Sequence, residues 1–194
     1  MIKKIFILTM VAVLTLATGC SSRNTYQKNV SELLQVPADA RIYLANNFWY
    51  KEPGKITSLN IQEGKLLRFG TEVTDIKYNS TNIIFKRKKD GKVFNLKYEE
   101  NYEMDSITEY IKKVFISQNP VEIELKIKPE VFEKIRRGVV EPGMTKDEVI
   151  IAFGAPGRFR TANLLSNTWI YIGENESTIR VVFRHGKVLK VLDY

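Results

Sequence analysis

The single cysteine is the sequence feature that most restricts how this chain can fold. Cys20 is the only cysteine among 194 residues, so no disulfide within the chain can hold the structure together. The chain also has only one histidine, so a structural zinc site is not expected. The fold must therefore depend on burying apolar side chains, which a hydrophobic fraction of 44% permits.

The cysteine stands directly after a segment with the pattern of an export signal. Lys3 and Lys4 give a positive start, residues 5–17 are an apolar run without a charge, and small residues precede Cys20. This order is typical of a cleavable secretory signal. The apolar run is also shorter than the ~20 residues of a membrane-spanning helix. We therefore expect residues 1–19 to be a signal peptide.

The residues before the cysteine, Leu-Ala-Thr-Gly at 16–19, resemble the lipobox of bacterial lipoprotein signals. The leucine stands four positions before the cysteine, where the lipobox usually has it three before. The resemblance implies a lipid on Cys20; the alternative is a secreted protein with a free thiol. An aspartate after the cysteine commonly retains lipoproteins in the inner membrane. Ser21 and Ser22 stand there instead, which favours the periplasmic face of the outer membrane.

Removal of residues 1–19 leaves 175 residues, enough for one medium-sized domain or two small ones. The net charge is +8 for the whole chain and +6 once Lys3 and Lys4 are lost. Such an excess suits anionic surfaces such as phospholipid headgroups, lipopolysaccharide or peptidoglycan, or it simply keeps the protein soluble. Nucleic acid is not an expected partner of an exported protein.

The first half of the mature chain has the pattern of a β-rich domain. After a polar tether at residues 20–37, short apolar runs recur between turn residues, and Asp90-Gly91 predicts a two-residue hairpin turn. Such strands predict a small closed barrel or a rolled sheet. A helix over residues 104–117, with a capping box from Ser106 to Glu109, and a strand over residues 121–127 complete this domain of residues 38–127.

Residues 128–194 predict a second domain. Pro129 suits the first turn of a helix, and Thr145 with Glu148 forms another capping box for a helix that ends at Gly154. Three strands are expected at residues 168–173, 178–184 and 187–193. Two helices followed by a three-stranded antiparallel sheet, together with the first domain, make the predicted fold class α+β.

This second domain resembles the BamE family, also called SmpA/OmlA. The resemblance is carried by Gly143-Met144-Thr145, an acidic helix start, the Gly154-Ala-Pro exit, a Trp-x-Tyr strand from Trp169, and a closing hairpin. It covers residues 128–194 and implies a periplasmic module of two helices on a three-stranded sheet. The family's namesake is an accessory lipoprotein of the outer-membrane β-barrel assembly machine.

Two groups of residues are candidates for binding a partner. Phe48-Trp49-Tyr50 cannot all point inward from one strand, so Trp49, or its two neighbours, should face outward or lie against the second domain. Trp169 is either a core residue or an exposed aromatic anchor, and Arg158 lies in a loop that can meet a partner's carboxylates.

A basic run is the candidate contact with anionic surfaces. Lys86, Arg87, Lys88 and Lys89 lead into the Asp90-Gly91 turn, and a basic hairpin tip gains ~1 kcal/mol per charge near an anionic membrane. The alternative is a strand edge that lysines keep from aggregating.

The sequence contains none of the familiar catalytic motifs, so no catalytic residue, cofactor or metal ligand is assigned. We expect a non-enzymatic outer-membrane lipoprotein that binds envelope proteins, with the assembly machinery among its possible partners. One alternative is a lipoprotein that binds an envelope polymer or anionic lipid. Another is an inhibitor of a periplasmic enzyme, because the C-terminal pattern also resembles the repeat of β-lactamase inhibitory proteins.

Replacing Cys20 by serine should release the protein from the membrane. Each buried methylene of an acyl chain contributes ~0.8 kcal/mol to membrane binding, and this substitution removes every chain. Fractionation of cells and the intact mass of the mature protein measure the effect, with Ser22→Ala as the control. Equal membrane retention of the Cys20→Ser protein would contradict the lipid-anchor prediction.

Overall fold

Short helices and small sheets alternate along the chain, which gives an α+β architecture. The structure is a computed structural model that describes residues 25–26 and 30–193. The predicted signal peptide and Cys20 lie outside the described residues. Apolar side chains gather in two clusters, one in each half of the chain.

The described residues form short helices and strands, and most of the strands lie in the first half of the chain. The helices are α1 (Val30–Leu33), α2 (Ile107–Val114), α3 (Pro120–Glu124), α4 (Pro129–Arg136) and α5 (Lys146–Phe153). The strands are β1 (Ile42–Leu44), β2 (Phe48–Tyr50), β3 (Ile56–Thr57), β4 (Lys65–Leu67), β5 (Glu72–Tyr78), β6 (Asn82–Arg87), β7 (Val93–Lys97), β8 (Phe115–Ile116), β9 (Thr168–Ile172), β10 (Thr178–Arg184) and β11 (Lys187–Asp193).

Six strands form a curled, half-barrel sheet in the order β3-β7-β6-β5-β1-β8. The pair β3–β7 is parallel and the other pairs are antiparallel. Because β3 and β8 end the order of the described strands, the sheet is rolled and the closed-barrel alternative is wrong. Ile83 and Phe85 of β6 and Phe94 and Leu96 of β7 face the first core, and Ile111 of α2 is buried with them.

The turn between β6 and β7 is longer than the predicted two-residue turn. The backbone N–H of Arg87 donates to the carbonyl of Lys92 and that of Gly91 donates to Arg87, both at 2.9 Å, so residues 88–91 form the loop. The Asp90 carboxylate accepts hydrogen bonds from the Arg87 guanidinium and, at 3.2 Å, from the Lys92 backbone. These side-chain bonds stabilise a wider loop, in which Gly91 has a φ of 68°.

The helix predicted at residues 104–117 is present but shorter. The Ser106 hydroxyl accepts from the backbone N–H of Glu109 at 3.4 Å, which is one half of the predicted capping box. The Glu109 carboxylate binds Lys112 at 2.8 Å instead of returning to the backbone of Ser106. The chain leaves the helix at Phe115, where β8 pairs with β1.

The strand predicted at residues 121–127 is wrong, because α3 lies there. The Asn119 side chain accepts from the backbone N–H of Val121 at 3.1 Å, and Pro120 occupies the first helical turn. The alternating apolar residues do not share a buried face: Val121 and Leu125 are 53% and 80% exposed. Local capping therefore prevails over the alternating pattern.

The second half has the predicted order of two helices and three strands. The sheet runs β11-β10-β9, and α4 and α5 pack with it around the second core. The capping box of α5 is confirmed. The Thr145 hydroxyl accepts from the Glu148 backbone at 3.2 Å, and the Glu148 carboxylate accepts from the Thr145 backbone at 2.7 Å. The helix ends at Gly154, whose φ is 81°.

The predicted tether is shortened at its C-terminal end. Val30 is only 3% exposed and belongs to the first core, with Leu33 and Leu34 packed against it. The amphipathic turn expected there is α1. Residues from Val30 onward are therefore part of the folded body and not of a free tether.

Buried carboxamide side chains join the two halves. The Asn47 Nδ2 donates to the carbonyls of Ile135 at 2.7 Å and Ala152 at 3.0 Å, near the ends of α4 and α5, while its Oδ1 accepts from the backbone of Phe69 at 2.8 Å. The backbone N–H of Asn47 also donates to Ile151 at 2.9 Å. One fully buried residue thus binds carbonyls at the C-terminal ends of both helices, where helical donors run out.

Asn60 and Gln62 extend this junction. The Asn60 Nδ2 donates to the carbonyl of Phe153 at 2.6 Å, and its Oδ1 accepts from the backbone of Trp49 at 2.8 Å. The backbone N–H of Gln62 donates to Ile172 of β9 at 2.8 Å. We call Asn47, Asn60 and Gln62 the amide junction. It fixes the loops of the first half against both layers of the second.

Removing the Asn47 side chain should destabilise the whole protein. Asn47→Ala leaves buried backbone groups of Phe69 and Ala152 without their partner, and we expect a loss of about 3 kcal/mol in the free energy of unfolding. Urea denaturation measures the loss, with exposed Asn101→Ala as the control, which should change stability by less than about 0.5 kcal/mol. Equal stability of the two variants would show that the junction contributes little.

Candidate functional site

A cleft of about 280 Å³ lies beside the amide junction, between the two halves of the chain. The first half contributes Phe48, the segment 103–105 and one side of α2, and the second half contributes Ile150, the exit of α5 and Leu164. Its polar lining residues include Asn46, Ser58 and Asn60 and the charged side chains of Glu103, Asp105 and Lys113. The lining residues are Asn46, Phe48, Ser58, Asn60, Glu103, Met104, Asp105, Tyr110, Lys113, Val114, Ile150, Gly154, Ala155, Pro156 and Leu164.

Glu103 is the unusual residue of this cleft. Its side chain is 8% exposed, and its Oε1 has no hydrogen-bond partner within residues 25–26 and 30–193. Burial raises the pKa of Glu103 to about 7, although a hydrogen bond with Ser58 and the charge of Lys113 act in the opposite direction. A shifted carboxyl group in a mainly apolar cleft is a typical mark of a functional site.

The groups around Glu103 are already paired. Lys113 of α2 binds the Asp105 carboxylate at 2.6 Å, and Lys97 binds Glu99 at 2.9 Å. The Tyr98 hydroxyl donates to the backbone carbonyl of Asp105 and holds the segment that carries Glu103. Burial raises the pKa of Tyr98 to about 12, so this hydroxyl keeps its proton at neutral pH.

Exposed apolar side chains stand at the rim of the cleft. The rings of Tyr102 and Phe159 meet edge to face at 5.3 Å, and both side chains remain about 40% exposed. Leu165, next to the cleft residue Leu164, is 88% exposed. We call Tyr102, Phe159 and Leu165 the apolar rim. Large apolar side chains that stay exposed beside a concave site are candidates for contact with another molecule.

Arg158, predicted to bind a partner, lies at this rim. Its side chain is exposed, and its backbone N–H donates to the carbonyl of Tyr102 at 2.7 Å. The same loop places Arg160 5.3 Å from the Phe159 ring. The bond between Arg158 and Tyr102 links the loop after α5 to the segment before α2, which brings the two sides of the rim together.

Trp169 is not on the surface, which corrects its selection as a partner-binding residue. Its side chain is fully buried in the second core and packs on Phe183 with ring centroids 4.7 Å apart. The Lys146 ammonium lies 5.2 Å from the Trp169 ring and donates to the Leu164 carbonyl at 2.6 Å. Trp169 therefore does not line the cleft. It lies beside Lys146, which holds the loop next to the cleft.

Trp49 contacts the second half of the chain, one of the two placements that the aromatic triplet allowed. Phe48 and Tyr50 point into the first core. The Trp49 ring lies against Gly138, where a Cβ would stand 2.5 Å from Trp49 Cζ2. Its indole therefore packs within the chain and remains half-buried, and binding of an outside partner by Trp49 stays a prediction.

Three of the four cations of the basic run form ion pairs with acidic neighbours. Lys86 binds Asp75 at 2.7 Å, Lys88 binds Glu72 at 2.6 Å, and Arg87 pairs with Asp90. Hydrogen bonds from Arg41 and from Lys88 lower the pKa of Glu72 to about 2. Lys89 is exposed at the tip. These pairs reduce the positive potential that the sequence alone predicts here.

The described part of the chain holds no group of three or more acidic, histidine or cysteine side chains placed to bind a metal ion. Among residues 25–26 and 30–193, no helix has the length and hydrophobicity that crossing a bilayer requires.

Comparison with protein-family models, with curated proteins and with solved structures finds no match for this chain. The cleft is therefore interpreted from its own chemistry.

Sequence reasoning missed Glu103. It stands among Glu99, Glu100 and Asp105, a series of carboxylates that is typical of a solvated surface. Its position between Tyr102 and Met104 is a weak signal at most. Burial of one carboxyl among four arises from the packing of α2 and the loop after α5, which sequence periodicity does not describe.

The raised pKa of Glu103 predicts a specific dependence of stability on pH. The folded protein holds this proton more tightly than the unfolded chain, so the free energy of unfolding should fall as pH rises from about 4.5 through 7. The expected loss is about 3 kcal/mol, complete above pH 7. The side chain of the Glu103→Gln variant stays neutral at every pH. Urea denaturation of this variant should therefore not show this loss in the free energy of unfolding. Parallel pH profiles for the two proteins would contradict a buried Glu103.

Proposed function

We propose that this protein is a lipid-anchored lipoprotein of the bacterial outer membrane that binds another envelope protein through the cleft and its apolar rim. The observation that carries the proposal is the apolar rim of Tyr102, Phe159 and Leu165, exposed beside a cleft that both halves of the chain line. Exposed aromatic and aliphatic anchors around a concave centre are how protein interfaces gain most of their affinity.

Binding fits the cleft better than catalysis does. General acid–base chemistry needs a second poised group near the first. Among the titratable residues that line this cleft, Asp105 and Lys113 bind one another and Tyr110 is fully buried with its pKa raised well above its usual value. Glu103 is thus left without a free second group beside it, and we propose a non-enzymatic role.

The lipid anchor would keep the cleft close to the membrane. Nine residues lie between Cys20 and Val30, where the folded body begins, and the ten steps from one Cα to the next span at most ~35 Å when fully extended. Confinement within this distance raises the effective concentration of the protein toward membrane-bound partners. Weak contacts at the cleft then become sufficient for binding.

The resemblance to the BamE family supports a partner in the envelope. The residues that carry it belong to the segment 128–194, in which the helices α4 and α5 precede a three-stranded antiparallel sheet. We propose that this part is a BamE-like module and that components of the β-barrel assembly machinery are the first partners to test.

Binding of an anionic lipid or envelope polymer is the second candidate. A groove lined by Arg68, Arg87, Lys88 and Lys89 supports it. The ion pairs of Arg87 and Lys88 with acidic neighbours make it the weaker candidate, because those cations are already satisfied.

Photo-crosslinking in living cells tests the proposed interface. A photoreactive phenylalanine analogue at Phe159 or Leu165 of the full-length protein should give discrete adducts with an envelope protein, because these side chains would lie within the contact. Mass spectrometry of the adducts names the partner. The expected ratio of adduct to free protein is at least tenfold above that of the control positions.

Val93 and Leu189 provide matched controls. Both are exposed apolar residues, each 49% exposed, and neither lines the cleft. Adducts of equal yield at rim and control positions, or none at the rim, would reject the proposed binding face.

A further inference from the structure

Among the described residues, Glu103 is the carboxyl group of the cleft that forms no ion pair. Asp105 pairs with Lys113 at 2.6 Å, whereas Oε1 of Glu103 has no hydrogen-bond partner in the part of the chain that the structure describes. A buried polar atom without a partner costs free energy, and the cost is larger for a charged oxygen. A ligand that supplies a donor there would remove this cost.

The walls of the cleft suit an apolar stem. Phe48, Val114 and Ile150 line it from both halves of the chain, with Met104 and Pro156 between them. Its volume of about 280 Å³ lies just below the usual range of ~300–1,000 Å³ for ligand sites. One long side chain of a bound segment fits such a space more readily than a large cofactor does.

We propose that the cleft accepts a lysine or arginine side chain of the partner protein, whose cationic end pairs with Glu103 while its methylenes lie along the apolar walls. This inference rests on the proposed function, because it takes the cleft as the partner's site. Lysine and arginine combine an apolar stem with a charged end, which is the pairing of chemistries that the cleft presents.

Other occupants fit less well. A purely apolar side chain would cover Glu103 without giving it a partner, and a carboxylate-bearing one would place like charges together. The apolar rim of Tyr102, Phe159 and Leu165 stands outside the cleft, where it can hold the backbone and flanking residues of the inserted segment. The cleft would supply charge selectivity, and the rim would supply contact area.

The proposal has a direct consequence for protons. A bound cation stabilises the ionised form of Glu103, whose pKa in the free protein is about 7. Binding should therefore release a proton near neutral pH and weaken as the solution becomes more acidic. From pH 7.5 to 5.5 the ionised fraction of a group with this pKa falls about 25-fold, and the affinity should fall with it.

Nuclear magnetic resonance titration of the full-length protein in detergent micelles tests this. The probes are Nα-acetyl-lysine methylamide and Nα-acetyl-norleucine methylamide, which share a linear four-carbon stem and differ in the terminal ammonium. At pH 7.5 the lysine probe should shift the signals of cleft residues and bind at least tenfold more tightly than the norleucine probe. Its affinity should fall about 25-fold at pH 5.5.

Two variants separate charge from shape. Glu103→Gln should remove both the preference for the lysine probe and its pH dependence, whereas Glu103→Asp, which keeps the charge, should retain the pH dependence. Thermal unfolding of each variant verifies that the cleft is still folded. Equal binding of the two probes to the native protein, or a pH dependence that persists in Glu103→Gln, would overturn the proposal.

The failure of this inference is distinguishable from failure of the proposed function. Adducts at Phe159 and Leu165 without any selectivity for the lysine probe would leave the partner interface in place and reject the basic side chain. Selective binding of the lysine probe without adducts at the rim would overturn the assignment of the cation to a partner protein. It would favour a free amphiphilic amine as the source of the cation.

Discussion

The amide junction is the interaction on which the rest of this structure depends. Asn47 and Asn60 direct their donors at the carbonyls where α4 and α5 end, and their oxygens accept from the backbone of the first half. Helix ends leave carbonyls that need donors, and buried amides can satisfy several backbone groups at once. The relative position of the two apolar cores is thereby set by directional bonds and not by apolar contact alone.

The position of the cleft follows from the amide junction. Asn60 belongs to the amide junction and also lines the cleft, and Asn46 lies next to the junction and lines the cleft as well. The contacts that close the interface at the junction therefore leave the cleft open beside it. Gly154 ends α5 at this point, and a Cβ there would stand 2.9 Å from Asn60 Nδ2. The chain then returns through Arg158 to the segment before α2, which places Glu103 between the two halves. Burial at this position explains why one carboxyl differs from its neighbours.

Local sequence signals were reliable where a single element decides its own conformation. The bounds of β10 and β11 match the predicted strands, and the capping box of Thr145 and Glu148 is present. Prediction was wrong at residues 121–127, where Asn119 and Pro120 begin a helix despite the alternating pattern. It was also wrong about the Asp90-Gly91 turn, because side-chain bonds of Asp90 widen the loop.

The sequence by itself determined the dependence on apolar cores, the α+β class, most strands, and the expectation of a lipid on Cys20. These follow from composition, periodicity and short motifs, which act over a few residues. Only the tertiary structure decided that Trp169 is buried, that the Trp49 ring packs against the second half, that three of the four cations of the basic run form ion pairs, and that Glu103 is buried in a cleft. Each of these depends on contacts between residues distant in sequence, whose free energy is decided by packing and desolvation.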